Sequence, residues 1–168
     1  MRADAEFSRP VPLDQITERQ KILEISANPA ERQALAERFG LLGLDRLEAT
    51  VRLTRSGVFY RLDAEWQADV VQACVVTLEP VTSHLAERLV ERYGPTESDE
   101  IEIDLDPSAD APEALEGNSI DIGEAVAQAM SLALDPYPRK PGAKIEVPEE
   151  NQAKEGPFAA LSKLKPGS

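Results

Sequence analysis

Hydrophobic and polar positions alternate over LEATVRLT (47–54), where Leu47, Ala49, Val51 and Leu53 fall on one side and Glu48, Thr50 and Arg52 on the other. That period of two predicts a strand with one buried face. The alternation returns in VFYRLDAEWQA (58–68), with Val58, Tyr60, Leu62, Ala64 and Trp66 in phase, so Arg55-Ser56-Gly57 predicts a hairpin turn between the two. VVQACVVTL (70–78) is dense in β-branched residues and predicts a buried last strand of an antiparallel meander. KILEI (21–25) predicts a further short strand. FSRPVPL, with Pro10 and Pro12, predicts an edge strand, where a missing N–H donor is tolerated. EIEIDL (100–105) sets Ile101, Ile103 and Leu105 against acids and predicts one more.

Two segments carry the helical period. Asn28 stands as N-cap before Pro29, Glu31 occupies the capping-box position, Ala34, Leu35 and Phe39 supply an apolar face, and Gly40 is a stop, which predicts a helix over 29–39. SIDIGEAVAQAMSLALDPYP offers Ser119 or Asp121 as N-cap, apolar Ile122, Val126, Ala129, Met130 and Ala133, and a stop at Asp135-Pro136, which predicts a second helix over 121–134. TSHLAERLVERY (82–93) is ambiguous, because Leu85, Leu89 and Tyr93 share a face under either period. Its propensity favours helix. As a strand it would turn Glu87 and Glu91 the same way as those apolar residues, a cost that is smaller near a sheet edge.

These elements predict an α+β fold: an antiparallel sheet of about six strands, able to curl into a partly open barrel, with two covering helices, an acidic loop and an extended C-terminal tail. The 168 residues, 42% hydrophobic, fit a single domain over 1–168. Within it, 106–119 reads as a mobile acidic loop, 140–156 as an extended linker and 157–165 as a docked C-terminal motif.

Charge changes the picture once it is divided along the chain. The net charge of -13 is distributed as -3 over residues 1–92, -12 over 93–138, where no basic residue occurs, and +2 over 139–168. The acids that concentrate it are Glu97, Asp99, Glu100, Glu102, Asp104, Asp106, Asp110, Glu113 and Glu116. Such a block is either a solvated connection or a docking surface for a basic partner, and on either reading it repels phosphate. Aromatic residues are only 5% of the chain, few platforms for stacking bases.

Candidate chemistry is sparse. One cysteine, Cys74, and one histidine, His84, cannot complete a Cys/His zinc site or a disulfide within the chain, so a reducing compartment fits and no metal or cofactor is expected. The N-terminus lacks the apolar core of a secretory signal, and no apolar run is long enough to span a bilayer, which together predict a cytoplasmic protein without membrane contact. Cys74 reads as a small core residue rather than the nucleophile of a Cys–His pair. Gln72 shares its strand face and, if buried, needs a hydrogen-bond partner. In PYPRKPG (136–142), Tyr137, Arg139 and Lys140 follow a helix end, either as a rigid helix exit or as a contact to phosphate, base or protein. In GPFAALSKLK (156–165), Phe158 and Leu161 belong either to a docked cap or to a short motif for a partner groove. There is no Walker A, GxGxxG or GxSxG pattern, hence no small-molecule substrate and no enzyme is predicted.

Four segments in order resemble the YceD family, the large ribosomal RNA subunit accumulation proteins: VVQACVVTLEPV, IDIGEAVAQAMSLALDPYPRKPGA, GPFAALSKLK and, more loosely, FSRPV. The match looks closest to the proteobacterial branch that writes DPYPRKPG after the late helix. The residues that carry it are Gln72, Cys74, Thr77, Leu78, Pro80, Asp121, Pro136 and Pro138. The resemblance implies a bacterial or plastid protein needed for accumulation of 23S ribosomal RNA, with no catalytic residues, and implies a strand at 82–93. Where some members carry Cys-x-x-Cys, this chain has Cys74 and Thr77, so a metal role does not carry over.

On that resemblance the expected function is a non-enzymatic factor in large-subunit ribosome biogenesis, binding a basic ribosomal protein or assembly factor. The alternative is direct ribosomal RNA binding through Arg139, Lys140, Arg52, Arg55 and Arg61.

Overall fold

The structure is a computed structural model that describes residues 5–95, 112–115 and 117–144. In chain order its elements are β1 (Pro10–Pro12), β2 (Lys21–Ser26), α1 (Pro29–Phe39), β3 (Gly43–Ser56), β4 (Phe59–Ala73), β5 (Pro80–Gly94), β6 (Glu113–Ala114), β7 (Ser119–Asp121) and α2 (Ile122–Ala133). A five-stranded sheet in the order β2-β3-β4-β5-β6 is antiparallel except for the β5–β6 pair, and β1 and β7 form a separate antiparallel ribbon. The mixed α+β architecture and the two helices agree with the sequence pattern. The barrel does not form: the sheet stays open, with β2 at one edge, and FSRPVPL pairs with β7 in its own ribbon.

The alternation of β3 and β4 packs as predicted. Leu47, Ala49, Val51 and Leu53 are buried, as are Tyr60, Leu62, Ala64, Trp66, Ala68 and Val70. Leu44 is buried as well, three positions before Leu47, because an irregularity in the ladder between Leu44 and Arg46 resets the phase. The turn falls at Gly57-Val58, one step beyond the predicted triplet, with Gly57 in the left-handed region at φ 60°. Leu35 of α1 and Ile122, Val126 and Met130 of α2 complete the core.

The α1 boundaries match the prediction. Asn28 Oδ1 accepts from Glu31 N at 3.0 Å, Glu31 Oε2 accepts from Asn28 N at 2.8 Å, and Gly40 closes the helix at φ 65°.

One predicted strand needs correction, and one ambiguous segment is settled. VVQACVVTL is not a strand of its own: β4 runs unbroken through Ala73, and residues 74–79 turn the chain into β5. β-Branching at Val75, Val76 and Thr77 therefore marks a turn whose backbone bonds go to another segment. TSHLAERLVERY lies in β5, so the strand implied by the resemblance holds and the local helix propensity is overridden by pairing with β4 along its length. The strand expected over 100–105, half of the acidic loop, most of the linker and the 157–165 motif lie outside the described residues.

Candidate partner interface

All but Asp121 of the residues that carried the resemblance converge on one end of the molecule. β4 ends at Ala73, and the chain reverses through Cys74–Glu79, with Leu78 N donating to Cys74 O at 2.9 Å and Cys74 N to Glu79 O at 2.8 Å. Leu78 takes φ 61°, unusual for a side-chain-bearing residue. The segment after α2 is clasped against this turn. Val75 N donates to Pro138 O at 2.9 Å, Gln72 Nε2 to Asp135 O at 2.9 Å, and Lys140 Nζ to Glu79 Oε1 at 3.0 Å. Gln72 thus has the partner its position required. Pro138 is buried between the two segments, whereas Pro136, Tyr137, Arg139 and Lys140 are exposed.

Cys74 is the sulfur centre of the clasp and is fully buried. Its Sγ accepts from Val76 N and Lys140 N, each at 3.4 Å. The Lys140 N–H and then the Thr77 hydroxyl stabilise the thiolate, and against the opposing pull of burial they lower the thiol to about 6. His84 is not beside it. Its Nδ1 lies 2.6 Å from Asp69 Oδ1, across the β4–β5 pair and four residues up the strand from Pro80, where the turn ends. Cys74 and His84 therefore do not form a dyad, and the thiol ties two segments together. Among the described residues no three His, Cys, Asp or Glu side chains converge to hold a metal ion.

Beside the opposite end of α2 stands Glu113. A helix of 12 residues separates the two ends by about 18 Å. Of the predicted acids only Glu113 is described; Glu97, Asp99, Glu100, Glu102, Asp104, Asp106, Asp110 and Glu116 lie outside the described residues, as do Phe158 and Leu161. Glu113 is exposed in β6, paired in parallel with Tyr93 at the end of β5. Beside it is a cavity of about 190 Å³ lined by Glu91, Tyr93, Glu113, Asp121 and Glu124. Tyr93 Oη donates to Glu91 Oε2. Burial pushes the Glu91 carboxyl up, the tyrosine hydroxyl partly opposes this, and Glu113 adds to the rise. No cation among the described residues pairs with Glu91 or Glu113.

The arginines of the alternative reading are engaged within the sheet. Arg52 lies 3.2 Å from Glu65, Arg61 3.8 Å from Asp63, and Arg55 Nε donates to Gly57 O while its guanidinium covers Tyr60. Arg88 also pairs with Asp63, and Arg46 with Glu48. The sheet also carries a trough of about 1010 Å³ lined by Glu24, Glu48, Glu65, Glu87 and Arg88, of which Glu48, Glu65 and Arg88 are ion-paired.

The sequence pattern identified Asp121 but not what surrounds it. Its carboxylate accepts from Gly123 N and Glu124 N at 3.1 Å, from Arg9 N at 2.7 Å and from Ser8 Oγ at 2.5 Å, capping α2 and anchoring the N-terminal ribbon together. Arg9 in turn forks onto Glu31, whose carboxyl is held below its ordinary range by that guanidinium. Gly123 was missed. A Cβ there would sit 2.2 Å from Phe7 O, so the ribbon crosses the helix where only glycine fits. A glycine at the second position of a helix, in IDIGEAV, was the available signal.

A family model described as large ribosomal RNA subunit accumulation protein YceD matches residues 62–165, more than half of the chain. The matched span contains the clasp, α2 and Glu113. No curated protein and no solved structure matches the chain. No helix among the described residues is long and apolar enough to cross a membrane.

Proposed function

The chain belongs to the YceD family of large ribosomal RNA subunit accumulation proteins, and from that premise we propose that it serves large-subunit biogenesis by binding, as a cytoplasmic factor without catalysis. Its role lies in accumulation of the large-subunit ribosomal RNA. The partner we assign is a basic ribosomal protein or assembly factor. One observation carries this reading: residues 93–138 hold 12 acidic groups and no basic one. Of those acids Glu113 is described, and it shares a cavity with Glu91 just before the region, two carboxylates that pair with no cation among the described residues. A basic protein would supply the missing countercharge, and long-range attraction would speed its capture.

Direct contact with 23S RNA has weaker support. Useful affinity takes several phosphate contacts, and Arg52, Arg61 and Lys140 would each have to leave a carboxylate to make one. Replacing the acids between 97 and 116 by Asn and Gln tests the proposal. Capture of purified basic large-subunit proteins should fall at least about tenfold and lose its salt dependence. Unchanged capture, or salt-sensitive binding to 23S fragments by the same variant, would overturn it in favour of another surface.

A further inference from the structure

Five of the eight large hydrophobic side chains exposed among the described residues belong to segments that meet at the clasp: Leu42, Val75, Leu78, Leu132 and Tyr137. Leu42 N bonds to Val71 O at the end of β4, Val75 N bonds to Pro138 O, and Tyr137 N bonds to Asp135 Oδ1. Leu132 is 88% exposed and Leu78 77%. The segments that carry these side chains also line a shallow groove of about 400 Å³, formed by Gly40, Gln72, Ser131, Leu134, Asp135 and Pro138. Isolated exposed apolar residues are ordinary, but five on the segments that line one groove mark a surface that something covers.

We infer that the occupant is the chain's own C-terminal segment, residues 157–165, seated on this groove through Phe158, Leu161 and Leu164. Three features select it. The first is connectivity: the described chain leaves the clasp at Lys144, four residues beyond Lys140, after a turn closed by Ala143 N to Lys140 O at 3.0 Å. Thirteen residues separate Lys144 from Phe158, a root-mean-square reach of roughly 20 Å for a chain of that length. Tethering over that length gives an effective concentration on the order of millimolar, so even a weak contact is populated.

The second is pattern. Phe158, Leu161 and Leu164 recur every third residue, with Lys163 and Lys165 between and after them, which gives a short segment one apolar edge. The third is charge. Both helices end at the groove, at Gly40 and at Leu134, and their terminal carbonyls favour cations there. α1 supplies Arg38 in its last turn, while α2 has no basic residue in its own. Lys163 and Lys165 provide what α2 lacks. The inference does not rest on the acidic region and stands if that region's role is reassigned.

A photo-crosslinking amino acid placed at Phe158 in the full-length protein tests it. The expected result is crosslinks within one chain to residues 75–78 or 131–137, with a yield that does not change over a hundredfold dilution. Leu132→Glu and Leu78→Asp, both at exposed positions, should lower that yield at least fivefold while the melting transition stays in place. Crosslinks only between chains, with yield rising with concentration, would assign the groove to a second copy and overturn the inference. Crosslinks to the sheet's solvent face, or none, would overturn it as well.

Discussion

At its N-terminal end α2 is held by a carboxylate, Asp121, that accepts four donors, whereas at its C-terminal end the neighbouring segment is held by carbonyls and a sulfur, with Gln72, Val75 and Lys140 as donors. What each end leaves unsatisfied differs in kind. Next to Asp121 are Glu91 and Glu113, carboxylates that pair with no cation among the described residues. Around the clasp are Leu42, Leu78, Leu132 and Tyr137, apolar surface in want of cover. The two ends therefore recruit different chemistry, and salt separates them: contacts at the acidic end weaken as salt rises, and apolar cover at the clasp does not.

The sharpest way to break the comparison is Gly123→Ala. The added methyl meets the backbone of Phe7 and Arg9, which cannot yield as a side chain can, so the N-terminal end should lose about 3 kcal/mol in a urea titration while the clasp keeps its bonds. Asp121→Ala removes the cap and leaves Arg9 N and Ser8 Oγ without their acceptor, for an expected loss of about 2 kcal/mol by the same measurement. The clasp is read through its thiol. Absorbance of the thiolate at 240 nm should titrate near pH 6 in the native protein and at the ordinary value of about 8.5 once unfolded. The native value is the lower one, so the stability this group contributes is present above the unfolded value and lost as pH falls through about 6. Thr77→Val removes the hydroxyl that ranks second among the causes and should move the native titration upward. The smallest effect is expected for Glu91→Gln. A raised carboxyl withdraws stability as pH climbs through its folded value, so the variant should gain up to about 0.5 kcal/mol at pH 8 and nothing at pH 4, as read by thermal melts.

What the sequence made legible follows from how local the determinants are. α1 could be read to the residue because Asn28, Glu31 and Gly40 act on the backbone within four positions of themselves. β3 and β4 could be read because one buried face imposes alternation. The turn at Cys74 could not, since its stability comes from Pro138 and Lys140, more than sixty residues away, and nothing in Val75-Val76-Thr77 announces them. β5 misled for the same reason: its helix propensity is intrinsic, while its strand pairing is supplied by β4. Of the candidate site, the resemblance named Gln72, Cys74 and Pro138 but not their arrangement, in which the turn after β4 is bonded to the segment after α2. The ion pairs that occupy Arg52 and Arg61 were equally hidden, because cross-strand partners depend on register.

The β1–β7 ribbon also bears on the order in which the protein is made. Arg9 and its acceptor Asp121 are 112 residues apart, and at ordinary rates of translation the earlier residue waits on the order of 10 s for the later one. The β3–β4–β5 meander, whose strands are neighbours in sequence, can pair in that interval. Phe7, fully buried in the finished protein, has to remain outside the core until Gly123 has been synthesised to receive the backbone beside it. The β1 segment, translated before the meander, is thus among the last to fold, and its closure marks a chain extended past α2's first turn.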